Sequence, residues 1–374
     1  MKTVKNSSLY IKIFILACVF LMLLVCVFLV VAEARFKLFS NCRLSGIAYD
    51  ERLGWRFKKD YDSEIKEKDP KKRDRKLSFN SRGFRDRDHS FEKDEDTKRI
   101  IFLGDSYTAG TEYPNDEIFA TLFEKMLDAN TTNKIKYEVM NVSVSAWATD
   151  QQYIYLKEEG MKYHPDYVLL MIAPNDIRET YGKKVLYLEN GKLREMGAPS
   201  IPLKARLYWF LANRSCAFQH LQTRLKLNYG SFKNVFQYFP VSFPIGEEMC
   251  NDKHLFLKEA PEEIIAAREL FKTILLEINQ LCKKNHSKLL ISVIPSKIEF
   301  EDDLKGEQYE PGKIAEYVKA IANENGIPFL DLFSCLKAEE EDPLRIFISW
   351  EYHLNDYGHA FVAKKLLRFF DLNK

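Results

Sequence analysis

Arg99-Ile100-Ile101-Phe102-Leu103-Gly104-Asp105-Ser106 is the stretch that decides the fold. Four apolar residues in a row, closed by glycine, read as a short strand buried on both faces, the kind found in parallel sheets. Downstream, residues 116–128 open with Asp116-Glu117 and place Ile118, Leu122 and Met126 on one face, which predicts a helix. Tyr137-Glu138-Val139-Met140-Asn141 reads as a second strand, residues 151–161 as a second helix, and Tyr167-Val168-Leu169-Leu170-Met171-Ile172 as the third and most apolar strand. Pro261 begins a long helical pattern through Ile264, Leu270, Ile274 and Ile278. Leu289–Ile294 is a fourth strand, residues 312–324 a helix closed by Gly326, Pro328–Leu332 a short fifth strand, and about 357–370 a last helix. Strands alternating with helices imply an α/β fold, a parallel sheet covered by helices on both faces. Residues 177–260 break the rhythm and read as an insertion after the third strand. No repeat of solenoid period occurs.

Residues 33–98 read as a polar, irregular extension ahead of the α/β domain, residues 99–374. The extension holds two islands, Leu53-Gly54-Trp55 and Asn80-Ser81-Arg82-Gly83-Phe84-Arg85-Asp86. Glu64 to Lys76 interleaves acids with bases and reads as a solvated loop. After a short tail, residues 1–12, the chain carries no charge from Ile13 to Ala32. Twenty residues at about 1.5 Å each span about 30 Å, the hydrocarbon thickness of a bilayer. A cleavable signal peptide is the rival, since Ala32-Glu33-Ala34 fits a small-x-small cleavage site. The apolar run exceeds the usual signal core of roughly 7–15 residues, which favours an uncleaved signal anchor. Lysines before the span and Arg35, Lys37 and Arg43 after it leave the positive-inside rule undecided. The short tail before a first span favours placing the C-terminal part outside the cytoplasm.

The 374 residues are 46% hydrophobic, enough for one sizeable core with insertions, and the net charge of +2 gives no footprint for nucleic acid. Outside the span lie Cys42, Cys216, Cys250, Cys282 and Cys335, with no Cys-x-x-Cys spacing, so a zinc site is not expected. An exported domain would allow one or two disulfides among them, with the pairing left open.

The chemistry gathers at strand ends. Ser106 directly follows the first strand, and in open α/β sheets sites form at the carboxyl ends of strands. A serine hydroxyl is a weak nucleophile until a base takes its proton, and Gly-Asp-Ser alone reads as readily as a helix cap. Glu351-Tyr352-His353-Leu354-Asn355-Asp356-Tyr357-Gly358-His359 supplies a carboxylate two residues before a histidine. Across a short turn Glu351 can hold the His353 imidazole in one tautomer. His89, His164, His220, His254 and His286 lack such company and read as structural, and His359 as support for the start of the final helix. Asn141-Val142-Ser143-Val144-Ser145-Ala146 and Ala173-Pro174-Asn175-Asp176 follow the second and third strands. A backbone N–H from the first and the Asn175 amide are candidate donors to a developing oxyanion, though each segment alone also reads as a polar turn.

In this order, each after the right strand, these segments resemble the SGNH (GDSL-like) hydrolase superfamily over about residues 100–370. Gly104-Asp105-Ser106-Tyr107-Thr108-Ala109-Gly110 looks like its nucleophile block, and Glu351 and His353 like its closing acid-and-histidine block. Ala146 falls where the family's glycine oxyanion donor belongs, and Asn175 matches its asparagine. The two islands are similar to an N-terminal extension of exported bacterial members. The resemblance implies a three-layer α/β/α domain with about five parallel strands in flavodoxin-like order. It further implies a triad of Ser106, His353 and Glu351, an oxyanion hole of Ser106, Ala146 and Asn175, and no metal or cofactor. Two departures stand out. Ala146 replaces glycine, which matters if the turn demands positive φ, and Glu351 replaces aspartate, which serine triads accept. The expected reaction is hydrolysis of acyl esters, O-acetyl in particular, on envelope or extracellular polysaccharide. O-acetyl transfer by the same acyl-enzyme is one alternative, and a non-catalytic carbohydrate-binding or envelope-assembly scaffold is the other. Tyr208-Trp209-Phe210 in the insertion reads either as a sugar platform or as core packing.

Overall fold

The computed structural model describes residues 2–39, 46–50, 52–65, 73–130, 135–183, 185–195, 211, 214–218 and 252–374. Tyr208-Trp209-Phe210, His220, Cys42 and Cys250 lie outside them. The chain forms two compact units, Met1–Gly46 with Ile201–Phe239, and Ile47–Ser200 with Pro240–Lys374.

In the first unit, α1 (Lys2–Phe39) contains the 24-residue stretch Lys12–Arg35, long and apolar enough to cross a membrane. Phe14, Leu16 and Phe28 along it are exposed. Near its end the Glu33 carboxylate accepts hydrogen bonds from Ser215 Oγ (2.8 Å) and from the backbone N–H groups of Cys216 (3.0 Å) and Ala217 (3.2 Å). Cys216 is disulfide-bonded, while Cys18, Cys26, Cys282 and Cys335 are free thiols.

The second unit is α/β. Two antiparallel hairpins come first, β1 (Ile47–Asp50) with β2 (Gly54–Phe57) and β3 (Tyr61–Ile65) with β4 (Arg75–Phe79). Then follow β5 (Thr97–Gly104), α2 (Ser106–Ala109), α3 (Phe119–Asn130), β6 (Lys136–Ser143), α4 (Thr149–Glu158), β7 (Tyr167–Ile172) and α5 (Asn175–Lys183). A small hairpin, β8 (Leu186–Glu189) with β9 (Lys192–Glu195), comes next. The unit closes with α6 (Glu262–Lys284), β10 (Lys288–Val293), α7 (Lys313–Glu324), β11 (Phe329–Asp331), α8 (Leu332–Glu339) and α9 (Asp356–Asp371).

The central sheet has five strands in the order β11-β10-β7-β5-β6, every pairing parallel. This is the flavodoxin-like order. Side chains alternate across each strand, and here both faces are dry. Ile101 and Leu103 of β5 join Val168, Leu170 and Ile172 of β7 in one core with α4, α6 and α7. Ile100 and Phe102 join Leu169 and Met171 in a second core with α3, α8 and α9. Continuous apolar runs are therefore what these strands require, and the three layers follow.

The extension departs from the irregular coil expected for it. Leu53, Trp55, Phe57, Phe79 and Phe84 are buried in the same core as Ile101 and Leu103. Of the stretch read as a solvated loop, Glu64-Ile65 pairs with Arg75-Lys76 in the β3–β4 hairpin. Their apolar residues are scattered among charges in strands of four or five, too few for a period to show.

A buried charge network seams the extension to the sheet. His89 Nε2 meets Asp86 Oδ2 at 2.9 Å and its Nδ1 meets Glu138 Oε1 of β6 at 2.7 Å. The buried Arg99 guanidinium takes the other Glu138 oxygen at 2.7 Å. Burial opposes the charge on His89, but Asp86 and Glu138 outweigh it and lift the imidazole from 6.5 to about 9. Burial likewise pushes Glu138 up, yet His89 and Arg99 hold it at about 2. A group with its pKa raised on folding stabilises fully below its unfolded value, and loses that contribution as pH climbs through the folded one. Thermal stability is therefore expected to fall between pH 6.5 and about 9 because of His89. In His89→Gln the melting temperature starts lower, and calorimetry across that range should find its slope with pH reduced.

Candidate active site

β5 delivers Gly104-Asp105-Ser106 to its carboxyl end, where α2 begins. Asp105 caps that short helix, its Oδ1 accepting from Tyr107 N–H at 2.9 Å. A Cβ on Gly104 would press into the Thr108 side chain, so this turn needs the bare backbone. Ser106 Oγ lies 2.8 Å from His353 Nε2.

The histidine segment is braced from three sides. Ile348 N–H donates to His353 O at 2.9 Å, which closes the turn. Lys297 Nζ donates to the carbonyls of Ile348 (3.2 Å) and Ser349 (2.9 Å). Asn355 caps α9 through Gly358 N–H (2.8 Å) and donates to Arg345 O and Phe347 O. Tyr107 meets the His353 ring edge-on, centroids 5.1 Å apart. Glu351 Oε1 is 3.6 Å from His353 Nδ1, and a second carboxylate, Glu112 Oε1, is 3.9 Å away. Burial works against a charged imidazole, but Glu351, Glu112 and Asp105 outweigh it and hold His353 above its ordinary value.

The two other segments reach the same strand ends. Asn175 opens α5, and its Nδ2 donates to Asp105 Oδ2 (3.1 Å) and Glu179 Oε1 (3.2 Å). The amide thus meets the residue that precedes Ser106, with both N–H groups directed at carboxylates. Burial, opposed by the Asn175 bond and reinforced by Glu179, raises Asp105 to about 6. Ala146 has φ +61°, the left-handed conformation in which glycine is free and alanine is strained by about 1–2 kcal/mol. The turn does demand positive φ, the condition under which the substitution carries a cost.

The extension holds both loops in place. Trp55 Nε1 donates to Ser145 O at 3.0 Å, Trp147 Nε1 to Trp55 O at 2.8 Å, and Gln151 Nε2 to Leu53 O at 2.6 Å. The first island therefore grips the Ala146 turn. Arg85 of the second island is fully buried. Its guanidinium donates to Ala109 O (2.8 Å), Gly110 O, Tyr113 O (2.6 Å) and Asn115 Oδ1 (2.5 Å), pinning the loop that carries Glu112.

Glu112, Arg85 and Lys297 escaped the sequence reading. Glu112 sits in Thr111-Glu112-Tyr113-Pro114, where no spacing ties it to a histidine far along the chain, and a charged residue buried for bracing looks like any surface arginine or lysine. His359 also differs from expectation. It is buried in α9, and its Nδ1 accepts from Phe119 N–H of α3 (3.3 Å), so it supports the start of a different helix. Burial, with Arg85 nearby, lowers it to about 3 and keeps it neutral, the form that can accept.

A cleft of about 280 Å³ opens beside the histidine, lined by Arg73, Arg75, Glu112, Tyr113, Trp350 and Glu351 among others. Among the described residues, Glu112, Glu351 and His353 are a group whose donor atoms lie within 4.8 Å of one another, close enough to consider for a cation.

No family model and no curated protein matches the chain. Similar solved structures include an acetyl xylan esterase, AlAXEase, with 18% identity over 72% of this chain and 98% of that one, TM-score 0.39. Axe2, an acetylxylan esterase from Geobacillus stearothermophilus, shares 15% identity over 73% of this chain and 93% of its own, TM-score 0.41. TesA shares 10% over 74% and 99%, TM-score 0.41. These are likenesses in chain path, and the chemistry rests on this chain's own residues.

Ala146→Gly removes the left-handed strain while adding backbone freedom to the unfolded chain, a net gain of about 0.5–1 kcal/mol. Denaturant titration should find the variant at least as stable as the parent. A clear loss of stability would mean that the alanine methyl is needed for packing.

Proposed function

We propose that this chain is a membrane-anchored serine esterase of the SGNH type. The observation that carries the reading is the 2.8 Å contact between Ser106 Oγ and His353 Nε2, made by residues 247 positions apart. A nucleophile and a base at hydrogen-bond distance, with carboxylates behind the base, is the arrangement that activates a serine hydroxyl.

In the proposed reaction His353 Nε2 takes the Ser106 proton as Oγ attacks the ester carbonyl. The tetrahedral oxyanion is held by the backbone N–H groups of Ser106 and Ala146 and by Asn175, whose amide must turn from Asp105 or Glu179 to serve. Collapse expels the alcohol, which receives the proton from Nε2, and leaves the acyl group on Ser106. Water then attacks the acyl-enzyme, His353 again taking a proton, and the free acid departs as Ser106 recovers its own.

The fitting substrate is an acyl ester, O-acetyl in particular, on polysaccharide of the envelope or the outside. The neighbouring acetyl xylan esterases act on acetylated polysaccharide by name, and Trp350, 44% exposed beside the cleft, offers a flat apolar face to a sugar ring. The apolar helix at Lys12–Arg35 would serve as the anchor. The disulfide at Cys216 supports placing the C-terminal part outside the cytoplasm, where such bonds persist.

The full-length chain in detergent micelles should be labelled by a fluorophosphonate probe and should hydrolyse aryl acetates, while Ser106→Ala does neither. Labelling that survives the substitution, or none in the parent, would sink the esterase reading. Because His353 must be neutral to act as base and is held above its ordinary 6.5, the labelling rate should fall as pH drops, with a midpoint above 6.5.

A further inference from the structure

A base that accepts at Nε2 carries its hydrogen on Nδ1, and that hydrogen needs an acceptor. His353 Nδ1 is buried and has no hydrogen-bond partner at its present distances. Glu112 Oε2 is buried and unpartnered as well. The two residues already approach to 3.9 Å through Glu112 Oε1, against 3.6 Å for Glu351. A buried Nδ1–H without an acceptor thus lies beside a carboxyl whose second oxygen has no donor, the facing oxygen 3.9 Å away.

We propose that Glu112 is a second positioning carboxylate for His353, so that Nδ1–H is held between two acids supplied by separate elements. Glu351 comes from the histidine's own turn, and Glu112 from the loop after α2. The loop cannot drift, because Arg85 donates to four acceptors along it from a fully buried position. Thr111 Oγ donates to Glu112 Oε1 at 2.8 Å, and this same oxygen, which keeps a second lone pair, is the one that faces Nδ1. Arg85 is in turn raised by Glu112 against the burial that lowers it to about 10, so brace and acid feel each other's charge. Through this loop the second island of the extension acts on the base.

The groups that face His353 are Asp105 and Tyr107 at the nucleophile turn, Glu112 on its loop, Glu351 on its own segment, and His359 from α9. Arg73 and Arg75 line the cleft beyond. Among the acids, Asp105 is spoken for by Tyr107 N–H and Asn175. That leaves the two glutamates to share Nδ1–H, and loss of either can be covered in part by the other.

The inference rests on reading His353 as the base for Ser106, and the test separates the two. Full-length protein in detergent micelles is labelled with a fluorophosphonate across pH as parent, Glu112→Gln, Glu351→Gln and the double variant. Each single substitution removes a negative charge from beside the imidazole and should move the acid limb to lower pH. Each should slow the plateau rate by less than about tenfold, and the double by more than about a hundredfold, since partners that substitute for one another are non-additive. Glu112→Asp keeps the charge and should return the limb toward the parent. A Glu112→Gln limb that coincides with the parent's, while that of Glu351→Gln moves, would overturn the proposal. If the parent is not labelled, the esterase reading fails on its own. The His353 ring can still be titrated by NMR in Ser106→Ala, where a midpoint unchanged by Glu112→Gln overturns the two-acid arrangement and a lowered midpoint upholds it.

Discussion

The contact between Ser106 Oγ and His353 Nε2 is the interaction on which the rest of the architecture bears. It joins the end of the first strand of the sheet to a turn just before the last helix, so it exists only if the whole α/β domain closes correctly. It also confines a titratable ring, its side chain 25% exposed, among carboxylates. Burial alone would push the imidazole toward the neutral form. The acids around it reverse that, which keeps Nδ1 protonated and leaves Nε2 to face the hydroxyl.

The sheet supplies the positions and the loops supply the groups. Parallel strands end at one edge, so residues following β5, β6 and β7 converge there although they lie far apart in sequence. Loops at such an edge are not rigid by themselves. Here the N-terminal extension stiffens two of them. Trp55 Nε1 donates to Ser145 O and Trp147 Nε1 to Trp55 O, which holds the turn at Ala146, and Arg85 spreads its guanidinium over the carbonyls of the loop at Glu112. A side chain fully buried on such a task resists substitution, because lysine cannot reproduce a planar fork of donors.

Much of this was legible in the sequence, for reasons that can be named. The strands announced themselves because burial on both faces forces unbroken apolar runs such as Ile100–Leu103 and Val168–Ile172, and the helices because Ile264, Leu270 and Ile278 keep to one face. Ser106 and His353 stood out through their neighbours Gly104, Asp105, Glu351 and Asn355, which lie in the turns after β5 and before α9. What the sequence concealed were groups whose importance comes from tertiary proximity. Glu112 and Arg85 belong to no periodic pattern, and their partners are backbone carbonyls or a distant imidazole. Asn175 was legible as a residue at the right place, but not its engagement with Asp105 and Glu179. The left-handed turn at Ala146 was foreseeable only as a question, because an alanine gives no sign of positive φ.

The proposed chemistry requires an acyl group to pass through Ser106. Full-length protein mixed with an aryl acetate, quenched in acid within the first turnovers and digested for mass spectrometry, reads this directly. The expected result is one acetyl group on the peptide carrying Ser106, absent in His353→Ala. An acetyl group on another residue, or one on Ser106 to the same extent without the histidine, would contradict it.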